Sequence, residues 1–272
     1  MRIRVIAGGV ALLGLLAGGA SARAEVFAVP DEVRQLAAPT EVVHTLQALE
    51  DGRAVGTQRY RAEVQGTRLV LDVVTRFAGG ERWDEHAVMD LADGYRALSF
   101  RKVGRRGGVV FEDQHADFAS GRVRWLADGV RRERTFAFTP DTYMGPMLGV
   151  VLAAVPELPS RTSAFQALVF RPAPDVYTLR ADVVDEEMFR VGRSREPTTK
   201  LRLKADLGPV KNALFANLIP THYFWFTREE PPEFFAFEGT LGYQNLTVLM
   251  VPEGALAPAR AARARLPHGA LN

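Results

Sequence analysis

The sequence predicts a mainly β fold: a long antiparallel meander curled into an open barrel or half-barrel, with one buried apolar helix and a second group of antiparallel strands. Three observations lead there. Glycine-containing turn signals recur every eight to fourteen residues, at Asp51-Gly52, Gln65-Gly66, Gly79-Gly80, Asp93-Gly94, Gly107-Gly108, Ser120-Gly121 and Asp128-Gly129. The runs between them alternate apolar and charged residues, the period of a strand with one covered face. Between Tyr143 and Pro156 the alternation stops, and fourteen residues pass without a charge.

The turn signals delimit runs that start near Glu41, Ala54, Thr67, Glu81, Tyr95, Val109, Arg122 and Val130. Such short separations specify consecutive hairpins. Leu69, Leu71, Val73 and Phe77 share one face while Arg68, Asp72 and Arg76 share the other; Gln58, Tyr60, Ala62 and Val64 oppose Arg59, Arg61 and Glu63 in the same way. A sheet of this kind is covered on one side only, and at eight strands it curls around its apolar face.

The run 143–156 would span about 20 Å as a helix, short of a bilayer core of roughly 30 Å. It therefore needs cover from protein or ligand. Thr139-Pro-Asp-Thr142 offers turn and N-cap chemistry before it, Pro146 suits a first turn, and Pro156 suits a stop. Strands are then expected over 164–170, 176–184, 187–191, 200–204, 221–227, 234–239 and 245–251. The stretch 209–218 reads as either a short helix or an apolar loop, and Asp31–Ala37 as a short helix.

Residues 1–24 carry a basic start, an apolar run and a small-residue cleavage pattern at Ser21-Ala-Arg-Ala24, which predicts a signal peptide and a periplasmic location. Its removal leaves 31 basic against 32 acidic residues, so the formal charge of +2 on the full chain belongs to the leader. Residues 25–252 are expected to form one β-rich domain, with possible halves 41–138 and 163–252 joined by the helix. Residues 253–272 are expected to form a flexible basic tail. The chain has no cysteine, which excludes disulfides, cysteine-ligated zinc and a lipid-modified N-terminal cysteine. Basic residues interleaved with acids exclude a nucleic-acid patch, and no run is long enough to make an integral membrane helix.

Nucleophile elbow, phosphate loop and metal-ligand signatures are all missing, so no catalytic residue, cofactor or metal is expected. Asp113, His115 and Asp117 fall on one strand face, with Asp84 and His86 on a neighbouring run, and form the best metal-like pattern. His44 alternates with Val42 and Leu46 and reads as an inward, hydrogen-bonded histidine or a polar contact for a ligand. The seven aromatic residues among Tyr223–Phe226 and Phe234–Phe237 exceed what one face of a strand pair can bury.

With the leader, the cysteine-free meander, the Tyr143-Met-Gly-Pro146 helix start and the segment Trp225-Phe-Thr-Arg-Glu-Glu-Pro-Pro232 to Glu238-Gly239, the chain resembles a family of uncharacterised exported bacterial proteins. More distantly it resembles the periplasmic lipoprotein-carrier (LolA/LolB-like) half-barrel superfamily. That resemblance implies an unclosed barrel whose concave face accepts acyl chains. The function expected is a binding or carrier protein for a hydrophobic small molecule or lipid held between sheet and helix by Tyr143, Met144, Met147, Leu148, Val151, His44, Trp225 and Phe235. The alternative is a non-enzymatic cell-envelope scaffold working through an envelope protein partner.

Overall fold

The computed structural model describes residues 39–170, 173–208, 221–229, 232–241 and 246–256. The leader, the helix read at 31–37, the stretch 209–218 and the tail beyond Leu256 lie outside the described residues.

Eight strands follow one another as hairpins: β1 (Thr40–Ala48), β2 (Ala54–Gln65), β3 (Arg68–Phe77), β4 (Glu81–Asp90), β5 (Arg96–Arg106), β6 (Val109–Asp117), β7 (Arg122–Ala127) and β8 (Val130–Thr135). Each starts within a residue or so of its expected position. Local chemistry accounts for that agreement, because each signalled turn contains a glycine at positive φ. In the two-residue turns of β5–β6 and β7–β8 both residues have positive φ (Gly107 55° and Gly108 83°; Asp128 53° and Gly129 74°), as a hairpin matched to strand twist requires.

β9 (Thr142–Tyr143) precedes the helix α1 (Met147–Ala153) and a 3₁₀ turn at Val155–Glu157. Then come β10 (Thr162–Phe170), β11 (Pro174–Val191), β12 (Ser194–Ala205), β13 (Thr221–Thr227), β14 (Phe234–Thr240), β15 (Thr247–Pro252) and β16 (Ala255–Leu256). Among the described residues all sixteen strands form one sheet in the order β8 to β1, then β15 back to β9, with β16 paired to β11. The sheet is antiparallel except where β9 and β10 run parallel. One pairing, β1 with β15, joins the two series (Leu46 opposite Met250). β8 and β9 are the free ends, so the barrel is open.

The strands expected over 176–184 and 187–191 are one eighteen-residue strand, β11. A bulge between Val183 and Asp185 keeps its pairing with β12 unbroken, and the extra residue reverses which side chains face inward. Ala181 and Val183 therefore pack in the main core, whereas Phe189 packs on the opposite face against Trp225.

The helix is shorter than its apolar run. Tyr143 belongs to β9, and Pro146 occupies the N-cap with no side-chain cap bond. Thr142 caps nothing helical: its hydroxyl accepts from the Thr139 N–H and also meets Gln166, closing the turn into β9. What forces the chain out of helix is Gly145, at φ 55°, over which Phe100 packs so closely that a Cβ would come 2.5 Å from its ring. The rest of the run is uncharged because it is core. Met147, Val151, Leu152 and Val155 are fully buried, in a cluster with inward residues of β2–β7 and β10–β13. Among the described residues no helix is long and apolar enough to cross a membrane.

Candidate functional site: a polar band across the concave face

The concave face is apolar in two places, around α1 and around Leu46, Val55, Phe77, Trp83 and Val248 near the other end. Between them cross-strand register assembles a polar band. One row runs His44, Gln58, Thr75, Trp83, Gly104 and Glu112, each directly opposite the next from β1 to β6. The adjoining row runs Tyr60, Val73, Glu85, Lys102 and Gln114 from β2 to β6.

Lys102 anchors the band. Its ammonium lies 3.3 Å from Glu112 and 3.7 Å from the centre of the Trp83 ring. Gln114 donates to Glu112 at 2.6 Å, and Gln58 donates to Thr75 at 3.1 Å. Burial raises the pKa of Glu85, with Lys102 opposing the shift and Glu112 reinforcing it; burial likewise raises that of Tyr60. The band thus holds two carboxyl groups against one ammonium in a weakly solvated place.

His44 is fully buried, and among the described residues neither ring nitrogen makes a hydrogen bond of good geometry, the Phe235 backbone being its one polar neighbour. Its ring lies 5.3 Å from that of Phe234. Burial depresses its pKa to about 4 against the smaller opposing influence of the Phe235 backbone, so the ring is neutral at pH 7. The sequence reading of an inward histidine agrees with its place, and the hydrogen bonding expected of it is reduced to a weak interaction with the Phe235 backbone.

Of the other residues read as ligand contacts, Tyr143, Met144, Met147, Leu148 and Val151 lie together in the main core, with Leu148 half-buried. Tyr143 donates its hydroxyl to the Tyr95 carbonyl at 2.7 Å, tying β9 to the start of β5. Trp225 and Phe235 are elsewhere. Alternation puts Trp225 and its partner Ala236 on the convex side with Phe189, and a bulge in β14 with Phe235 as the extra residue turns Phe235 to the same side, while Phe224, Phe226, Phe234 and Phe237 lie in the main core with α1. Trp225 also donates to Glu187 at 2.9 Å. The aromatic excess is therefore split between two layers, and the expected ligand set is not one site.

The metal-like pattern does not converge. Asp117 accepts from the Ala119 and Ser120 N–H groups of its own turn, Asp84 faces Arg82 and Arg105, and His86 meets Asp72 at 2.8 Å. Among the described residues no group of three or more metal-ligating side chains comes together.

Sequence reasoning missed Glu85, Lys102, Glu112 and Gln114. The signal was present in part: alternation puts Glu85 beside inward Trp83 and Ala87, but attention to Asp84 and His86 favoured the opposite face. A second missed feature is the half-buried aromatic lining of the opening, Phe118, Trp125, Phe136, Phe138 and Phe170. Trp125 of β7 meets Phe170 of β10, ring centres 6.5 Å apart, so side chains of the strands next to the free ends meet where backbone pairing does not.

No protein-family model matches the sequence, and no curated protein matches it significantly. Among solved structures, it is similar to a β-barrel-like protein of domain of unknown function DUF1849 from Brucella abortus, at 10% identity and a TM-score of 0.48, covering 80% of this chain and 96% of that one. It is also similar to a protein from Bacteroides fragilis described as exported and as having a YmcC-like fold, at 10% identity and a TM-score of 0.28, covering 80% and 95% of the two chains. Both similarities lie below the level at which function follows. The chain is a mainly β protein with one large, open, mostly antiparallel barrel-like sheet.

Proposed function

We propose that the protein is a non-enzymatic, periplasmic binding or carrier protein for an amphiphile, such as a lipid or another acyl-chain compound, taken into the concave face. The observation that carries this reading is the polar band. A lumen filled only to stabilise the fold would gain nothing from Glu85, Lys102, Glu112 and a buried, poorly satisfied His44, since desolvating such groups is costly. A ligand with a polar head and an apolar body suits both parts of the face: the band meets the head, and the half-buried side of α1 (Leu148, Val150) with the aromatic opening meets the chain. The resemblance to lipoprotein carriers is consistent with that class. In this reading α1 serves as the floor of the site, because its fully buried residues are core.

Native mass spectrometry of protein purified from its own compartment, with lipid extraction, tests it. The expected result is a bound species of acyl-lipid mass, lost in Leu148→Trp. Ligand-free protein that also fails to bind a fluorescent fatty acid overturns it.

The envelope-scaffold alternative is supported by the exposed apolar residues Val109, Val110, Phe111 and Val130 at neighbouring hairpin tips. Trp225 and Phe235 cannot serve it, being buried under Phe189. In-cell photocrosslinking from Val109 would then capture one stoichiometric protein partner.

A further inference from the structure

The convex face of the meander carries its own cross-strand row. Glu41, Arg61, Asp72, His86, Arg101, His115, Arg124 and Glu133 stand opposite one another in turn across β1 to β8. At the β1 end the signs alternate, which is how directly opposed charges stabilise a sheet. Alternation fails near the β8 end, where Arg101 and Arg124 flank His115 and no acid intervenes.

That irregularity lines an open cleft of about 440 Å³ bordered by four arginines and two carboxylates. The carboxylates do not fill the deficit. Asp113 is 3.7 Å from Arg101 and 3.9 Å from Arg131, both loose pairs, and Glu133 is 3.7 Å from Arg122, outside the cleft. Arg124 has no carboxylate partner among the described residues; it approaches His115 Nδ1 at 3.2 Å. A guanidinium can only donate, so Nδ1 accepts and the ring proton lies on Nε2. His115 thus presents an N–H donor between two arginine forks, a donor set suited to a tetrahedral, multiply charged oxyanion.

We infer that this cleft is a binding site for a phosphoryl group, formed by Arg101, His115 and Arg124 with Arg131 at its rim. A phosphate dianion over His115 restores the missing negative charge of the row and accepts from both guanidinium groups and the imidazole. The site is on the opposite face of the sheet from the polar band and does not depend on the amphiphile reading. A soluble phosphate ester and a phosphorylated lipid head present the same chemistry.

The test uses the whole protein and inorganic phosphate, followed by NMR of the His115 ring, with sodium chloride of equal ionic strength as control. Saturable shifts at millimolar phosphate are expected, with the His115 pKa raised on binding. In the free protein burial, Arg124 and Arg101 lower that pKa, while Asp117 and Asp113 oppose them; a dianion reverses the balance. Arg124→Gln should weaken binding about tenfold or more, and Arg101→Gln, an exposed change, should do the same without altering the melting temperature. Vesicles with roughly a fifth phosphatidic acid in phosphatidylcholine identify the source: binding that phosphate competes away, and that Arg124→Gln loses, assigns a lipid head, whereas phosphate binding without vesicle binding assigns a soluble ester. Shifts that chloride reproduces, that do not saturate, or that survive in Arg124→Gln overturn the proposal.

Discussion

Two residues show how far a single side chain sets the behaviour of this fold. Gly145 combines a left-handed backbone with contact against the buried Phe100 ring. Gly145→Ala should therefore cost about 2 kcal/mol or more, from both the strained φ and the clash, read as a lowered urea midpoint with unchanged m. His44 gives a pH signature. Its folded pKa of about 4 lies below the ordinary value of 6.5, so the unfolded chain takes up the proton first. Stability from the neutral ring is full above about pH 6.5 and is lost as the pH falls towards 4, by about 3 kcal/mol in all. Glu85, raised by burial, works in the opposite direction, since protonation relieves its desolvation. Comparing His44→Leu with the wild type isolates the histidine: the variant should be as stable or more so at pH 7, because the buried imidazole makes no hydrogen bond of good geometry to lose, and its stability should fall less steeply between pH 6.5 and 4. Parallel pH curves for the two proteins would contradict that assignment.

At the scale of elements, α1 is supported by its environment more than by its sequence, since it is only seven residues long and lacks a side-chain cap. Leu152→Ala should cost about 2–5 kcal/mol by leaving a cavity among fully buried neighbours, and chemical denaturation measures it. β8 has the opposite character, exposed along its whole length with an unpaired outer edge and arginines at 131, 132 and 134. Charge on such an edge discourages pairing with another chain. Replacing all three by threonine should leave the fold intact but produce oligomers visible by light scattering. These elements also show what was legible. The eight strands and their seven hairpin turns could be read because glycine at a turn and period two along a strand are local signals. The start of the helix could not be read, because the left-handed Gly145 before it packs against Phe100, a residue 45 positions earlier. Nor could Phe235 be placed, since it is itself the extra residue of a bulge in β14, which sets it in one layer with Trp225, and Phe234 in the other. The polar band was hidden for a third reason: its members are single inward residues on five or six strands, adjacent only once register is known.

The whole molecule depends on one distant pairing. β1 and β15 join Leu46 to Met250, whereas neighbouring hairpins pair residues close in sequence. Closing so long a loop carries an entropic cost before contacts offset it. Pulse-labelled hydrogen exchange should show amides of the β2–β5 hairpins protected before those of β1 and β15, and simultaneous protection would contradict this order. The free ends have a further consequence, in the history open to the fold. A closed barrel ties strand number, tilt and stagger together, so gaining or losing a hairpin means re-solving its whole circumference. Here the sheet stops at β8 and β9 without meeting itself, and Trp125 and Phe170 meet from the strands one in from each end. Lineages can lengthen or shorten such a sheet one hairpin at a time at its margins, while β1 to β6, which carry the polar band, keep their register.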